Sequence, residues 1–312
     1  MLGVGRICAP SARDRTGRAA AILASDPSHH GFFWLRVDLH CHSNASDGEL
    51  APADLLGLLA ADGVELAAIT DHDTFDGWAS LSPEAKSASG CRLLPGIEFS
   101  SCYQNRECHV VGLGFDPGHP GILAAVDSQN RRRHERARQL AARLEWLGIP
   151  GALDAALLHA GGAAPGRPHF ARFLVESGRV RDAEEAFDRY LGEGKPAACP
   201  VVWPHLEEVA GWIRSAGGVA VLAHPLVYSF ARTRSKLRSL IAAFRECGGG
   251  AVEVAMAGAS PERVAQLGKL VAASGLRASA GSDFHAMAQH WRRPCRVPAL
   301  PAGLEPVWTE WT

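Results

Sequence analysis

The sequence lacks the features that mark disulfide-stabilised, membrane-spanning and strongly basic nucleic-acid-binding proteins. Its eight cysteines form no Cys-x-x-Cys pair, and a chain of 312 residues does not depend on disulfide bonds, so we expect reduced thiols in a cytoplasmic protein. No run of about 18 apolar residues is present, so neither a membrane span nor a membrane partner is expected. The 32 Lys and Arg residues balance 33 Asp and Glu residues, which excludes binding of nucleic acid by bulk positive charge.

Three common catalytic loop motifs are also missing. The chain has no Gly-x-Ser-x-Gly elbow, no Walker A loop and no Gly-x-Gly-x-x-Gly segment. These absences argue against a triad hydrolase, an NTPase and a dinucleotide-binding protein.

From about residue 35 onward, strand patterns alternate with helix patterns. Short apolar runs predict seven strands, at 35–39, 66–70, 96–99, 109–115, 219–223, 251–255 and 276–280. Helical periodicity covers 52–62, 120–147, 204–216, 232–247 and 261–274. This alternation predicts an α/β fold with parallel pairing and right-handed crossovers.

Two segments depart from this alternation. Residues 1–34 carry scattered arginines and small residues, and they are predicted to be a disordered N-terminal extension. Residues 117–199 contain no clear strand; their helix patterns are a long Arg-rich one and shorter ones near 151–160, 167–178 and 181–191. We interpret 117–199 as a helical insertion into an α/β body formed by 35–116 and 200–312.

The strongest motif is Asp38-Leu39-His40-Cys41-His42-Ser43, at the end of the first predicted strand. Because side chains alternate along a strand, Asp38, His40 and His42 point to one face. Two imidazoles with a carboxylate behind them form half of a metal site. Cys41 points to the opposite face, so its thiol is not expected to be a ligand.

Residues of metal-binding type also lie at the ends of other predicted strands. They are found in Thr70-Asp71-His72-Asp73, at Glu98, at His109, in His224-Pro225 and in Gly281-Ser282-Asp283-Phe284-His285. In parallel α/β barrels the carboxyl ends of the strands face one mouth, where active sites lie. Each residue alone is more often a packed or surface residue, but their succession predicts that they converge on one metal site.

The motifs DLHCHS, SDG, ITDHDT, GIE, HVVG, AHP and GSDFH resemble those of the PHP (polymerase and histidinol phosphatase) superfamily of metal phosphoesterases. The resemblance extends over about 36–310. The segments IPGAL (149–153) and HFARFLVESG (169–178) are similar to the branch that contains bacterial 5′→3′ exoribonuclease and 3′,5′-nucleoside bisphosphate phosphatase. The resemblance implies a distorted parallel β/α barrel of about seven strands, in which the helical insertion recognises substrate.

The resemblance also implies the metal ligands. A first cation would be bound by His40, His42, Glu98 and Asp283. Glu98 would bridge to a second cation, completed by His109 and His224, and a third would be held by Asp47, His72 and His285. Asp38 and Asp71 would lie behind the ligands and fix histidine tautomers. The donors suit two or three divalent cations, with Mn²⁺ favoured and Zn²⁺ and Fe²⁺ left open.

The expected nucleophile is a hydroxide shared by two of these cations, because metal binding lowers the pKa of water from 15.7 to about 7. The residues expected to hold it are Glu98, His109, His224 and Asp283.

Candidate substrate-binding residues lie in the insertion. The guanidinium of Arg167 could donate two hydrogen bonds to a phosphate, and His169 could donate another. The alternatives are that Arg167 is a surface arginine and that His169 is a histidine at a helix N-terminus. Lys195 and Arg131 are weaker candidates. Six arginines on or beside the long helix form either a solvated face or a local basic wall: Arg131, Arg132, Arg133, Arg136, Arg138 and Arg143.

One departure from the branch affects substrate binding. The branch often continues AHP with Gly-Arg-Tyr, whereas this chain reads Leu226-Val227-Tyr228. If that arginine contacts phosphate in relatives, another cation must serve here.

Our leading hypothesis is a phosphoesterase that acts on nucleoside 3′,5′-bisphosphates and on RNA 5′ ends, with no obligate protein partner. Anchoring a 5′-phosphate while hydrolysing the phosphorus on the 3′-oxygen would explain both activities. The alternatives are a histidinol-phosphate-type phosphatase for a small monoester and a non-catalytic metal-binding module of a polymerase assembly.

Overall fold

Within residues 35–312, seven strands form one sheet in the sequential order β1 to β7. They are β1 Val37–Cys41, β2 Leu66–Ile69, β3 Arg92–Tyr103, β4 Arg106–Leu113, β5 Val219–Leu222, β6 Ala251–Met256 and β7 Arg277–Gly281. All seven predicted strands are therefore confirmed. The computed structural model describes residues 35–312, and the disordered extension predicted for 1–34 lies outside the described residues.

The expectation of parallel pairing throughout the sheet is wrong at one strand. β1, β2 and β3 pair in parallel, as do β5, β6 and β7, but β4 runs antiparallel to both of its neighbours. β3 and β4 are joined by the tight turn Gln104-Asn105, whose φ angles of 49° and 60° are both left-handed. A two-residue turn of this kind reverses the chain at once, which only antiparallel strands allow. Without glycine in the turn, the sequence carried a weak hairpin signal.

The sheet curls into a nearly closed barrel, because the residues that follow its two outer strands meet. The N–H of Asp283 donates to the carbonyl of His40 at 2.8 Å, and the N–H of His42 donates to the carbonyl of Phe284 at 2.9 Å. These bonds join the end of β1 to the end of β7, and they position the motifs at both strand ends side by side.

Ten α-helices accompany the strands in the described part of the chain. They are α1 Pro52–Ala61, α2 Asp76–Ala79, α3 Pro83–Ala88, α4 Pro120–Trp146, α5 Ala152–Ala160, α6 Arg167–Glu176, α7 Ala183–Ala186, α8 Leu206–Ser215, α9 Arg234–Glu246 and α10 Pro261–Ser274. A π-helical turn, Phe187–Leu191, follows α7, and short 3₁₀ turns lie at Ser229–Ala231, His290–Arg292, Pro294–Arg296 and Val307–Glu310. The sequence predicted all of the longer helices but missed α2 and α3. No helix within 35–312 is long and apolar enough to cross a membrane.

Two apolar layers stabilise the barrel. Residues from every strand, including Leu39, Val111 and Val221, form a cluster that includes the barrel interior. The outer faces of the strands pack against α8, α9 and α10 through residues such as Ile213 and Phe244. Burial of this apolar surface is the main contribution that stabilises the barrel and its strand ends.

The helical insertion has an apolar cluster of its own. Its buried members come only from 137–197, among them Phe170 and Leu174, and the described part of 117–199 contains no strand, as the sequence predicted. α4 belongs to both regions, because Ile122 and Ala125 near its start pack into the barrel core whereas Leu140 and Leu144 near its end pack into the insertion. The domain boundaries at 117 and 199 remain a prediction.

Replacing Phe170 tests whether the insertion cluster contributes to folding stability. Phe170 is fully buried, so we expect Phe170→Ala to lower the free energy of unfolding by about 3–5 kcal/mol through lost burial and a residual cavity. Urea unfolding followed by circular dichroism measures the change. Leu158→Ala is the matched control, because Leu158 is 78% exposed and should change stability by less than about 0.5 kcal/mol. Equal losses for the two variants would contradict the prediction.

Candidate metal centre and adjoining cavity

The barrel brings all nine predicted ligand side chains to one place. They form four overlapping groups whose nitrogen and carboxylate oxygen atoms lie within 4.8 Å of one another: His42, Asp47, His72 and His285; His40, His42 and Asp283; His40, Glu98 and His224; and His72, Glu98 and His109. The positions span residues 40 to 285, so only the closed barrel assembles them.

Glu98 lies at the centre of the cluster and is fully buried. One carboxylate oxygen, Oε2, lies 3.3 Å from Nε2 of both His40 and His42. The other oxygen, Oε1, lies 3.0 Å from Nδ1 of His109 and 2.9 Å from Nε2 of His224. Oε2 also lies 3.0 Å from Nδ1 of His72. The two oxygens therefore face different imidazoles, three at Oε2 and two at Oε1, which suits a carboxylate shared by cations.

Two other carboxylates complete the cluster. Asp283 Oδ1 lies 3.7 Å from Nε2 of His40 and 3.4 Å from Nε2 of His42. On the opposite side, Asp47 lies 3.8 Å from Nε2 of His72 and 3.5 Å from Nε2 of His285. These contacts bring together the members of the first and third ligand sets that the family resemblance implied, and His42 also lies 3.9 Å from Asp47. The assignment of these residues to cations stays a prediction.

The donor set fits divalent cations. The buried nitrogens His40 Nε2 and His42 Nε2, and Glu98 Oε2 between them, have no hydrogen-bond partner among the described residues. Unpaired buried polar atoms are costly, so such a group indicates a partner of another kind. Imidazole and carboxylate donors without thiolate suit Mn²⁺, Zn²⁺ or Fe²⁺. Cys41 Sγ instead bonds the carbonyl of Ala68 in the core beside α1, as its strand position predicted.

The electrostatics of the cluster favour bound positive charge. Burial disfavours the charged form of His42, but the Asp283 and Glu98 carboxylates outweigh it and raise its pKa to about 10. Burial disfavours ionised Glu98 too, yet His40 and the other imidazoles hold its pKa well below the usual value. The cluster therefore keeps its carboxylates ionised next to positive charge. A divalent metal ion supplies more positive charge than a proton does.

The backbone is strained where it carries the ligands. Asp73, His224 and Asp283 have φ angles of 55°, 29° and 53°, a region that residues with a side chain seldom occupy. The ladder is also irregular between Asp38 and Cys41 in β1, and between Glu253 and Ala255 in β6. Backbone strain and strand irregularities change the direction in which side chains point, and both are frequent at functional sites.

The role expected for Asp38 and Asp71 is wrong. Asp38 accepts hydrogen bonds from the backbone N–H groups of His40 and Ser282, and Asp71 accepts from the N–H and hydroxyl of Ser43. Among the described residues, neither carboxylate hydrogen-bonds an imidazole ring. Asp38 orders the end of β1 and the residue after β7 instead, and Asp71 orders the residues that follow β1.

Sequence reasoning missed three residues that contact the ligands directly. Glu253 hydrogen-bonds His40, Arg292 pairs with Asp283, and Glu107 Oε1 lies 3.8 Å from Nε2 of His109. Glu253 did carry a signal, since it is the one acidic residue in the apolar strand β6. Arg292 and Glu107 carried none, because their roles depend on how distant segments pack.

A buried polar network fastens α4 beside the cluster. Arg133 donates to Asp73 Oδ2 at 2.5 Å and to the Ser100 hydroxyl at 3.0 Å. Gln129 donates to Asp73 Oδ1 at 2.9 Å and to the Ser100 carbonyl at 2.7 Å. Asp73 follows His72, and Ser100 lies two residues after Glu98 on β3, so the network ties the insertion to segments that carry ligands.

A cavity of about 880 Å³ adjoins the cluster, and His109 is one of its lining residues. Five cationic side chains line it: Arg106, Arg136, Arg143, Arg167 and Lys195. Glu107 also lines it and accepts two bonds of 3.2 Å from Arg136. Val227 also lines the cavity, at the sequence position after Ala-His-Pro where the exoribonuclease and bisphosphate phosphatase branch often has arginine. The sequence left open a solvated face or a local basic wall for the six arginines of the long helix; Arg136 and Arg143 line the cavity, whereas Arg131 and Arg138 are exposed on the helix surface.

Two of the four predicted substrate-binding residues are brought to this cavity and two are not. Arg167 and Lys195 line it. His169 is absent from the lining, and its Nδ1 accepts the N–H of Gly166 at 2.9 Å, which caps α6. Arg131 is 67% exposed and pairs with Asp127 on the surface of α4.

Comparisons with known proteins agree with this geometry. The model of the PHP domain matches residues 38–193. The 5′-3′ exoribonuclease Rnm of Escherichia coli is 42% identical over 275 residues, which cover 88% of this chain and 93% of that protein. The 3′,5′-nucleoside bisphosphate phosphatase of Chromobacterium violaceum is 40% identical over 275 residues, with coverage of 88% and 95%.

A solved structure is also similar over most of its length. The structure of an amidohydrolase from Chromobacterium violaceum, with bound sulfate and no metal, superposes with a TM-score of 0.82 at 39% identity, covering 88% of this chain and 95% of that one. The family match, the two curated relatives and the shared architecture all point to the same conclusion: the chain belongs to the PHP domain family.

Proposed function

We propose that this protein is a metal-dependent phosphoesterase that removes the 3′-phosphate from nucleoside 3′,5′-bisphosphates and releases 5′-nucleotides from RNA 5′ ends. One observation carries the proposal: His109 belongs to the cluster of candidate metal ligands and also lines the cavity that holds five cationic side chains. A substrate with two phosphates could place one at the cluster and the other among the cations. The curated relatives named above act on RNA and on nucleoside bisphosphates, which supports this assignment.

The proposed ligands are the nine clustered side chains, and Mn²⁺ is the proposed cation. Cations held there would supply Lewis-acid charge for phosphoryl oxygens and lower the pKa of a water molecule. The chain's own contribution is positional. Glu98 and Asp283 keep the histidine nitrogens at fixed spacing, and Arg292 engages Oδ2 of Asp283 so that Oδ1 faces His40 and His42.

Arg167 and Lys195 are the proposed contacts for the second phosphate, with Arg136 and Arg143 beside them. Guanidinium groups can bond two phosphate oxygens at once. Arg167 lies 3.6 Å from Glu107, which holds it over the cavity without neutralising it fully, since Glu107 also pairs with Arg136. A short, local set of cations suits a terminal nucleotide, and the nearly neutral chain needs no long basic groove.

The two alternatives fit the observations less well. A small monoester phosphatase would not need a cavity of about 880 Å³ lined by five cations. A non-catalytic module would tolerate loss of ligands, whereas all nine are clustered here.

We also propose that the protein acts in the cytoplasm. All seven cysteines within 35–312 are free thiols, and Cys295 is exposed. Unpaired exposed thiols are typical of reducing compartments.

A substrate panel tests the proposed function. With Mn²⁺ added, we expect turnover of adenosine 3′,5′-bisphosphate and of 5′-phosphorylated RNA, weak turnover of 5′-hydroxyl RNA and none of histidinol phosphate. Products are identified by chromatography and mass spectrometry, and a chelator should abolish turnover. Efficient hydrolysis of histidinol phosphate alone would replace the proposal with the small-monoester alternative.

Asp283→Asn tests the cluster. Losing one charged ligand should lower kcat by more than about 100-fold, because metal ions contribute several kcal/mol to charge stabilisation. His40→Ala should act alike. Phosphate release under controlled Mn²⁺ measures the effect, and Asp127→Asn, a surface carboxylate on α4, is the control. Near-normal turnover in Asp283→Asn would contradict the proposed metal centre.

Arg167→Ala tests the second-phosphate contact. Losing one charge-assisted hydrogen bond should raise KM about 10- to 100-fold for substrates with a 5′-phosphate and leave 5′-hydroxyl substrates nearly unchanged. Arg131→Ala is the matched control, because Arg131 lies outside the cavity lining. Equal effects on both substrate types would remove Arg167 from phosphate recognition.

A further inference from the structure

Glu253 is an acidic side chain buried in the middle of an otherwise apolar strand. It is 1% exposed, and its neighbours Val252 and Val254 belong to the apolar cluster between the strands and helices α8, α9 and α10. Burying a carboxylate is costly unless it is well hydrogen-bonded. The position therefore calls for an explanation that core packing alone does not supply.

The contacts of Glu253 join two parts of the proposed metal centre. Its Oε2 atom lies 3.1 Å from Nδ1 of His40, which is on β1. The same oxygen accepts the backbone N–H of His224 at 2.7 Å, just beyond β5. A single oxygen thus holds two proposed ligands that lie 184 positions apart in the chain.

The contact with His40 fixes which ring nitrogen is free. Because the same Oε2 oxygen accepts the N–H of His224, we assign the hydrogen of its contact with His40 to Nδ1 of the imidazole. Nε2 then keeps its lone pair and faces Glu98 and Asp283 at 3.3 and 3.7 Å. This is the carboxylate–histidine arrangement that orients metal-binding imidazoles.

The contact with His224 stabilises an unusual backbone conformation. His224 has a φ of 29°, which carries a steric cost for a residue with a side chain. The N–H bond to Glu253 offsets part of that cost and directs Nε2 of His224 toward Glu98 at 2.9 Å.

The absence of a side chain at Gly281 leaves room for this carboxylate. A Cβ at Gly281 would lie 2.6 Å from Glu253 Oε1 and 2.4 Å from the Cβ of His40. The ladder between β6 and β7 is also irregular at Glu253. Glycine on β7 and an irregular β6 therefore admit the carboxylate beside His40.

We propose that Glu253 is a positioning residue that sets the tautomer of His40 and the backbone of His224, and thereby raises the affinity of the centre for divalent cations. The inference rests on the metal centre of the proposed function but not on its substrate. Its role differs from that of Asp38 and Asp71, which bind main-chain and hydroxyl groups.

The test compares Glu253→Gln and Glu253→Ala with Glu262→Gln, an exposed control that removes the same charge. Equilibrium dialysis of the metal-free full chain against Mn²⁺ gives the dissociation constant, and far-ultraviolet circular dichroism reports folding. We expect Mn²⁺ affinity to fall about 10- to 100-fold in both Glu253 variants, with a larger loss for alanine, and no change in the control.

Kinetics separate positioning from a purely structural role. In Glu253→Gln, kcat should fall at limiting Mn²⁺ and recover at saturating Mn²⁺, with KM for substrate unchanged. Unchanged Mn²⁺ affinity in a folded Glu253→Gln protein would overturn the proposal, and so would loss of the fold in both variants. If every substrate in the panel fails but the affinity shift remains, the proposed function fails and this inference stands.

Discussion

The organisation of this protein depends on one buried carboxylate. Glu98 has no access to solvent, and its two oxygens face imidazoles from β1, β4 and the residues that follow β2 and β5. A negative charge in such a place is stable only beside concentrated positive charge. The strand ends present imidazoles to this carboxylate, and the barrel that apolar burial stabilises thereby supports a charge cluster.

Much of the fold and the cluster could be predicted from the sequence. The seven strands are marked by apolar runs of the right length. Candidate ligands lie in motifs at the ends of these runs, where the local sequence shows them. The family resemblance supplied their grouping. The direction of β4 could not be predicted in the same way, because the turn Gln104-Asn105 that reverses the chain lacks the glycine that usually marks such a hairpin.

The residues behind the ligands were harder to predict, since their roles depend on three-dimensional packing. Asp38 precedes two histidines in the sequence, yet its oxygen meets the N–H of Ser282, 244 positions away. Glu253 occupies the role that Asp38 was expected to have. Likewise, the sequence singled out Arg131 among the six arginines of the long helix, and only packing shows that Arg133 is buried against Asp73 while Arg131 faces solvent.

The meeting of β1 and β7 has a consequence for how the molecule matures. His40 and His42 precede Asp283 and His285 in the chain by more than 240 positions, so they emerge first during synthesis, and the main-chain bond between His40 and Asp283 forms only when both are present. A nascent or truncated polypeptide that stops before residue 283 holds an incomplete ligand set. A cation that needs all of the clustered donors can therefore bind only after the residues that follow β7 have joined the end of β1.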